Sequence, residues 1–127
     1  MTLLNQYISD ILDLLSDHDS EGSSLRKQIT FLTDISYNYT GSGLFVTFKH
    51  SDAIFEHKLS KDLLILNGVT IKSNHLHIGA KATLFIKNGV IDYLEIWAFD
   101  GVYPEIELDN YSLTQTWDNA PGRVIIR

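Results

Sequence analysis

Lys81 to Phe99, KATLFIKNGVIDYLEIWAF, leaves this chain few ways to fold. Asn88-Gly89 lies between two apolar, β-branched runs. Both residues tolerate positive φ, so the pair favours a two-residue type I′ turn and a β-hairpin. Such a turn sets the register. On one side it places Ile86 opposite Ile91, Leu84 opposite Tyr93 and Ala82 opposite Glu95. On the other it places Phe85 opposite Asp92, Thr83 opposite Leu94 and Lys81 opposite Ile96. Neither side is then cleanly polar. The first carries Leu84, Ile86, Ile91, Tyr93, Trp97 and Phe99, and the second Phe85, Leu94, Ile96 and Ala98. A hairpin of this kind belongs inside a sheet, with one face on the core and the other covered by a loop, a helix or another protein.

The remaining elements follow from periodicity. Leu4, Ile8, Ile11, Leu12 and Leu15 form one stripe at helical spacing, which predicts a helix over 2–17 with Asp10, Asp13 and Asp17 toward its polar side. HDSEGSS at 18–24 reads as a loop. Ser23 or Ser24 then caps a second helix over about 25–35, with Leu25, Ile29, Leu32 and Ile35 as its stripe. SYNYTGSG is turn-rich. Leu44, Val46 and Phe48 share one side of a strand, and Ser51-Asp52 turns the chain back into 53–57. Residues 60–66 fit a short helix or a buried strand equally well. A second Asn-Gly, at 67–68, leads into a strand start. Residues 100–110 form a loop in which Pro104 interrupts pairing. Tyr111 to Trp117 alternates as a half-exposed strand, and RVIIR closes the chain as a short strand or tail. The expected fold is one α+β domain over 1–127, with two N-terminal helices packed on an antiparallel sheet of five to six strands.

Composition narrows the function classes. An apolar fraction of 44% with 20% charged residues is a globular balance. There is no cysteine, which removes disulfides and thiolate metal sites and fits a reducing compartment. No apolar run is long enough to span a membrane, and the acidic N-terminal stretch does not read as a signal peptide, so a cytoplasmic protein with no membrane partner is expected. A net charge of −6 argues against nucleic acid. The charge is also unevenly placed. Between Asn88 and Gly122 there is no Lys or Arg, but there are seven carboxylates and six of the fourteen aromatics. Acids interleaved with aromatics suit a basic protein partner; equally, the rings can be core and the acids a solvated surface.

Complete catalytic constellations are missing. His75 and His77 would share one side of a strand, but two histidines do not make a metal site. Asp92 and Glu95 have the odd spacing that sends strand side chains to opposite faces. Glu95 lies between Tyr93 and Trp97, a setting for a raised-pKa acid, for a contact to a partner's Lys or Arg, or for a rim residue with no role. There is no Gly-x-Ser-x-Gly elbow, and the GSG at 41–43 precedes a strand rather than a helix. No cofactor, metal or small-molecule substrate is expected. The alternative is a small α+β enzyme or ligand-binding domain with a pocket between helices and sheet; helices followed by a curved sheet are loosely similar in outline to the cone-shaped nuclear-transport-factor-2 fold.

Residues 67–113 resemble small bacterial immunity proteins encoded beside polymorphic and contact-dependent growth inhibition toxins. The resemblance is carried by the Asn-Gly hairpin, the run Tyr93-Leu94-Glu95-Ile96-Trp97, Asp100-Gly101, Tyr103-Pro104 and the closing Leu108 to Tyr111. Such proteins have many unrelated folds, so the resemblance implies a function rather than an architecture. It implies binding and neutralising a cognate toxin C-terminal domain, often a nuclease, with no catalytic residues. On that reading the Lys- and Arg-free span meets a basic toxin domain. Glu95, Asp100, Glu105 and Glu107 are its expected acidic contacts, and Trp97, Tyr103 and Trp117 its expected aromatic anchors.

Overall fold

The computed structural model describes residues 4–18 and 22–127. The chain is α+β. Helices α1 (Gln6–Leu15) and α2 (Gly22–Ile29) precede strands β1 (Leu32–Tyr39), β2 (Gly43–His50), β3 (Leu64–Lys72), β4 (Ala80–Lys87), β5 (Val90–Ala98), β6 (Ser112–Gln115) and β7 (Val124–Ile126), with a 3₁₀ helix at Asp52–His57. The strands form one antiparallel sheet of seven, in the order β1-β2-β5-β4-β3-β6-β7. The sheet has one strand or more beyond the five to six expected from sequence, because the residues of β1 read as the end of a helix up to Ile35 and as a turn beyond it.

The Asn-Gly hairpin forms with Asn88 at φ 56° and Gly89 at φ 77°. Its first two pairs, Lys87–Val90 and Ile86–Ile91, are those a two-residue turn dictates. The register then shifts by one residue. Phe85 stands opposite Tyr93, Leu84 opposite Leu94, Thr83 opposite Glu95, Ala82 opposite Ile96 and Lys81 opposite Trp97. Asp92 is the extra residue of a β-bulge, and the bulge re-sorts the two faces. One face now carries Ala80, Ala82, Leu84, Ile86, Ile91, Leu94, Ile96 and Ala98, all buried. The other carries Phe85, Thr83, Lys81, Tyr93, Glu95 and Trp97. This corrects the mixed faces predicted from an unbroken register.

Helix α1 begins at Asn5, whose side-chain oxygen accepts the Ile8 N–H at 2.8 Å, so the N-cap rather than the apolar stripe sets its start. Residues 2 and 3 of the expected helix lie outside the described residues, as do 19–21 of the expected 18–24 loop. Tyr7, Ile8, Ile11, Leu12, Leu14 and Leu15 are buried against the sheet, where α1 packs over β3, β4 and β6. Each such side chain contributes about 2 kcal/mol of transfer free energy. The predicted polar face needs correction at Asp10, which is 4% exposed. Asp10 accepts from Tyr111 Oη at 2.7 Å, Arg127 Nε at 2.9 Å and Gln6 Nε2 at 2.8 Å. Burial alone would raise its carboxyl; the hydrogen bonds from Arg127, Tyr111 and Gln6 outweigh that and hold it below the usual carboxylate range. One turn on, Asp13 and Asp17 each bridge Arg26 of α2 and Arg123 of the segment before β7. The acids of α1 thus fasten both α2 and the last strand.

The second helix ends at Ile29, six residues before the predicted Ile35, and Ser23 and Ser24 lie within it rather than capping it. Beyond it Ile35, Tyr37 and Tyr39 alternate with Asp34, Ser36 and Asn38, which is strand periodicity; Leu32 and Ile35 matched the helical stripe by spacing alone. The Asp34 carboxylate accepts the Ile35 N–H at 2.9 Å, a local bond that competes with helix. Residues 53–57 form the 3₁₀ helix rather than a returning extended segment, with Ile54 buried. The ambiguity at 60–66 resolves to strand from Leu64. Asn67-Gly68 is not a strand start but a bulge inside β3, with Gly68 at φ 102° and the Trp117 ring against it.

Gln28 joins α2 to the hairpin. Fully buried, it donates to the His57 carbonyl at 2.8 Å and the Gly89 carbonyl at 3.0 Å, and accepts the Ile91 N–H at 2.9 Å. A buried amide with three partners holds the turn at a fixed distance from the helix.

Candidate protein-binding surface

Because the Asp92 bulge turns Tyr93, Glu95 and Trp97 away from the core, the face of the sheet opposite α1 carries Phe45, Tyr93, Phe85 and Trp97. The pairings across β2, β5, β4 and β3 define its rows. Thr47, Tyr93, Phe85 and Ile65 form one. Phe45, Glu95, Thr83 and Asn67 form the next, and Gly43, Trp97, Lys81 and Thr70 the third. Phe85 and Tyr93 stack with centroids 4.4 Å apart and planes 11° apart, and Phe45 tilts against Tyr93 at 6.1 Å. Trp97 is 46% exposed and Phe99 45%, with Ile65 and Ile78 also exposed. The Phe99 ring lies against Gly79. Gly43, paired with Trp97, has to be glycine because a side chain there would collide with the Ile96 carbonyl. Exposed rings and aliphatic side chains gathered on one sheet face make this the candidate interaction surface.

The seven residues expected from sequence do not gather in one place. Glu95 and Trp97 share the open face. Asp100 is exposed in the turn that follows β5, where its carboxylate accepts the Val102 N–H at 3.1 Å. Tyr103 is 3% exposed and lies on the core side of the sheet, its hydroxyl 3.0 Å from that of Tyr7. Burial pushes the Tyr103 hydroxyl up to about 12. It therefore anchors the 100–109 loop to α1, and its N–H bonds the Gly41 carbonyl at 2.8 Å; it is not a surface anchor. Glu105 and Glu107 are exposed, and both help raise the Tyr39 hydroxyl, after burial. These two acids therefore lie near Tyr39, at the β1 edge of the sheet. Trp117 is half-buried at the other end of the sheet, stacked on His18 with centroids 3.8 Å apart.

Sequence reasoning missed Phe45, Phe85 and Phe99 as members of the surface. The signal was available for Phe45, which lies between the core-facing Leu44 and Val46, but not for Phe85 and Tyr93, whose pairing depends on the bulge. His75 and His77 lie exposed in the 73–79 loop, where strand alternation does not apply. Among the described residues, no three His, Cys, Asp or Glu side chains gather as a metal site, and every buried side-chain N or O atom has a hydrogen-bond partner. No described helix is long and apolar enough to cross a membrane.

Fold and surface together define an α+β domain with helices on one face of a sheet and an uncovered aromatic band on the other. No family model, no curated protein and no solved structure matches the chain.

Proposed function

We propose that this protein is an immunity protein, acting in the cytoplasm by binding one cognate toxin domain and blocking it. The observation that carries the protein-binding part of this reading is the open face itself, where Trp97 and Phe99 stay about half exposed beside the Tyr93–Phe85 stack. Large rings on a rigid, hydrogen-bonded sheet lose little entropy on docking and are the residue types that dominate interface energetics. The acids of the 88–122 span add long-range attraction for a basic partner, which mainly accelerates encounter. The toxin part rests on the resemblance of residues 67–113 to immunity proteins.

An enzyme with its pocket between helices and sheet draws less support. The space under α1 is filled by Ile8, Ile11, Leu12 and Leu15, and the polar groups there are bonded within the protein: Tyr7 to the Tyr103 hydroxyl, Asp10 to the Tyr111 hydroxyl, and Gln115 to the Leu14 carbonyl.

The test is co-expression with a candidate toxin domain, taken from the C-terminus of any large protein encoded immediately upstream. Protection of the cells, with a stable one-to-one complex on purification, is the expected result. Unaltered killing, with no complex, would refute the proposal.

A further inference from the structure

We infer that Glu95 is the seat for an arginine side chain presented by the partner protein, with Tyr93, Trp97 and Phe45 as its walls. The inference rests on the protein-binding reading above and names the contact at its centre. Glu95 occupies the middle of the aromatic band, directly between Phe45 of β2 and Thr83 of β4. Tyr93 and Trp97 flank it two residues away on the same strand and the same face. It is half-buried, and among the described residues its carboxylate has neither a hydrogen-bond nor an ion-pair partner. Most other carboxylates that approach the core of this protein are treated differently: Asp10 and Asp17 are each held by arginines.

A partner that covers Trp97 and Phe99 also removes water from Glu95. A carboxylate buried without a donor is strongly disfavoured, so a partner surface that fits this face has to supply a cation there. Arginine meets both demands of the site. Its planar guanidinium stacks on aromatic faces and offers parallel N–H donors to a carboxylate, whereas an ammonium group is a compact, more strongly hydrated charge. Within the chain the nearest cation by register is Lys81, opposite Trp97 and one row away from Glu95; the two form no ion pair. Lys81 also repels an incoming cation weakly.

The probe is N-acetyl-arginine amide, titrated at low salt into the ¹⁵N-labelled protein, with the neutral isostere N-acetyl-citrulline amide as control. Expected are amide shifts centred on Phe45, Thr83, Glu95 and Trp97 that saturate in the millimolar range, and no such shifts with the citrulline compound. Glu95→Gln should weaken the arginine probe by about fivefold or more, and Lys81→Ala, which keeps the carboxylate, should tighten it by about twofold. Glu95→Gln titrating like wild type, or shifts concentrated on residues 100–109, would overturn the inference. If Glu95→Gln does not give a folded spectrum, the Lys81→Ala arm decides, since unchanged or weaker binding there contradicts the seat. The probe needs no toxin. A missing arginine seat in a chain that still protects cells would sink this inference alone, and an arginine seat in a chain that protects no cells would sink only the toxin reading.

Discussion

Tyr93 stands opposite Phe85, and the two rings stack 4.4 Å apart on the open side of the sheet. An unbroken two-residue hairpin would have set Tyr93 against Leu84 and turned it into the core. One extra residue, Asp92, decides between these outcomes, and so decides which rings face a partner.

The turn that starts this hairpin should tolerate substitution poorly. Gly89 has φ 77°, and a Cβ there would press on Lys58 and on the Leu59 carbonyl. Gly89→Val combines a β-branched residue with left-handed backbone and should destabilise the fold by about 1–3 kcal/mol or more. Urea unfolding should show a lower midpoint at an unchanged slope.

Gln28→Leu should be costly although the new side chain is apolar and similar in size. It leaves the His57 carbonyl and the Ile91 N–H without their bonds inside the protein. The buried Ile91 N–H costs about 1–3 kcal/mol as an orphan and the part-buried His57 carbonyl less, and chemical denaturation should register their combined loss.

Stability should fall on the acid side through two acids, one in α1 and one just after it. Asp10 and Asp17 both have carboxyls held below their ordinary value in the folded state. A depressed folded pKa contributes stability that is fully present above the unfolded value of about 4 and is lost as pH falls below it toward the folded value. Asp10→Asn should therefore flatten the stability–pH curve below about pH 4 and leave its shape near neutrality unchanged. Denaturant midpoints measured from pH 2 to 7, for wild type and variant, check this; an unchanged acid slope would mean that Asp10 is not linked to folding.

The acidic loop and the aromatic band should act on different rate constants. Asp100, Glu105 and Glu107 are exposed, and the last two lie near Tyr39 at the β1 edge. Reversing all three to Lys should slow association with a basic toxin domain at low salt, with the difference shrinking as salt rises, and should leave dissociation nearly unchanged. Stopped-flow or surface-based kinetics at two ionic strengths separate the two.

Much of this fold was legible because its local signals agree. Asn88-Gly89 specifies a turn, the stripe from Ile8 to Leu15 specifies a helix with its core face, and Leu44, Val46 and Phe48 specify the core side of β2. What was not legible depends on competition between elements. Leu32 and Ile35 satisfy helical spacing while the Ile35-Tyr37-Tyr39 alternation satisfies a strand, and pairing with β2 selects the strand. Gly68 reads as a turn residue, yet β4 on one side and β6 on the other hold it inside β3 as a bulge. The candidate surface was half visible. Glu95 and Trp97 were placed together by simple alternation, but Tyr103 and Trp117 are aromatic for the sake of Tyr7 and His18, which no spacing reveals.

The most direct test of the open face as the binding surface is the affinity for the cognate toxin domain of three proteins: wild type, Trp97→Ala/Phe99→Ala, and Lys27→Glu on the exposed side of α2. Thermal melts confirm that each is folded. The account predicts that the double variant binds at least about thirtyfold more weakly, mostly through faster dissociation, while Lys27→Glu stays within about twofold of wild type. Wild-type affinity in the double variant together with lost binding in Lys27→Glu would contradict it and move the interface to the helices.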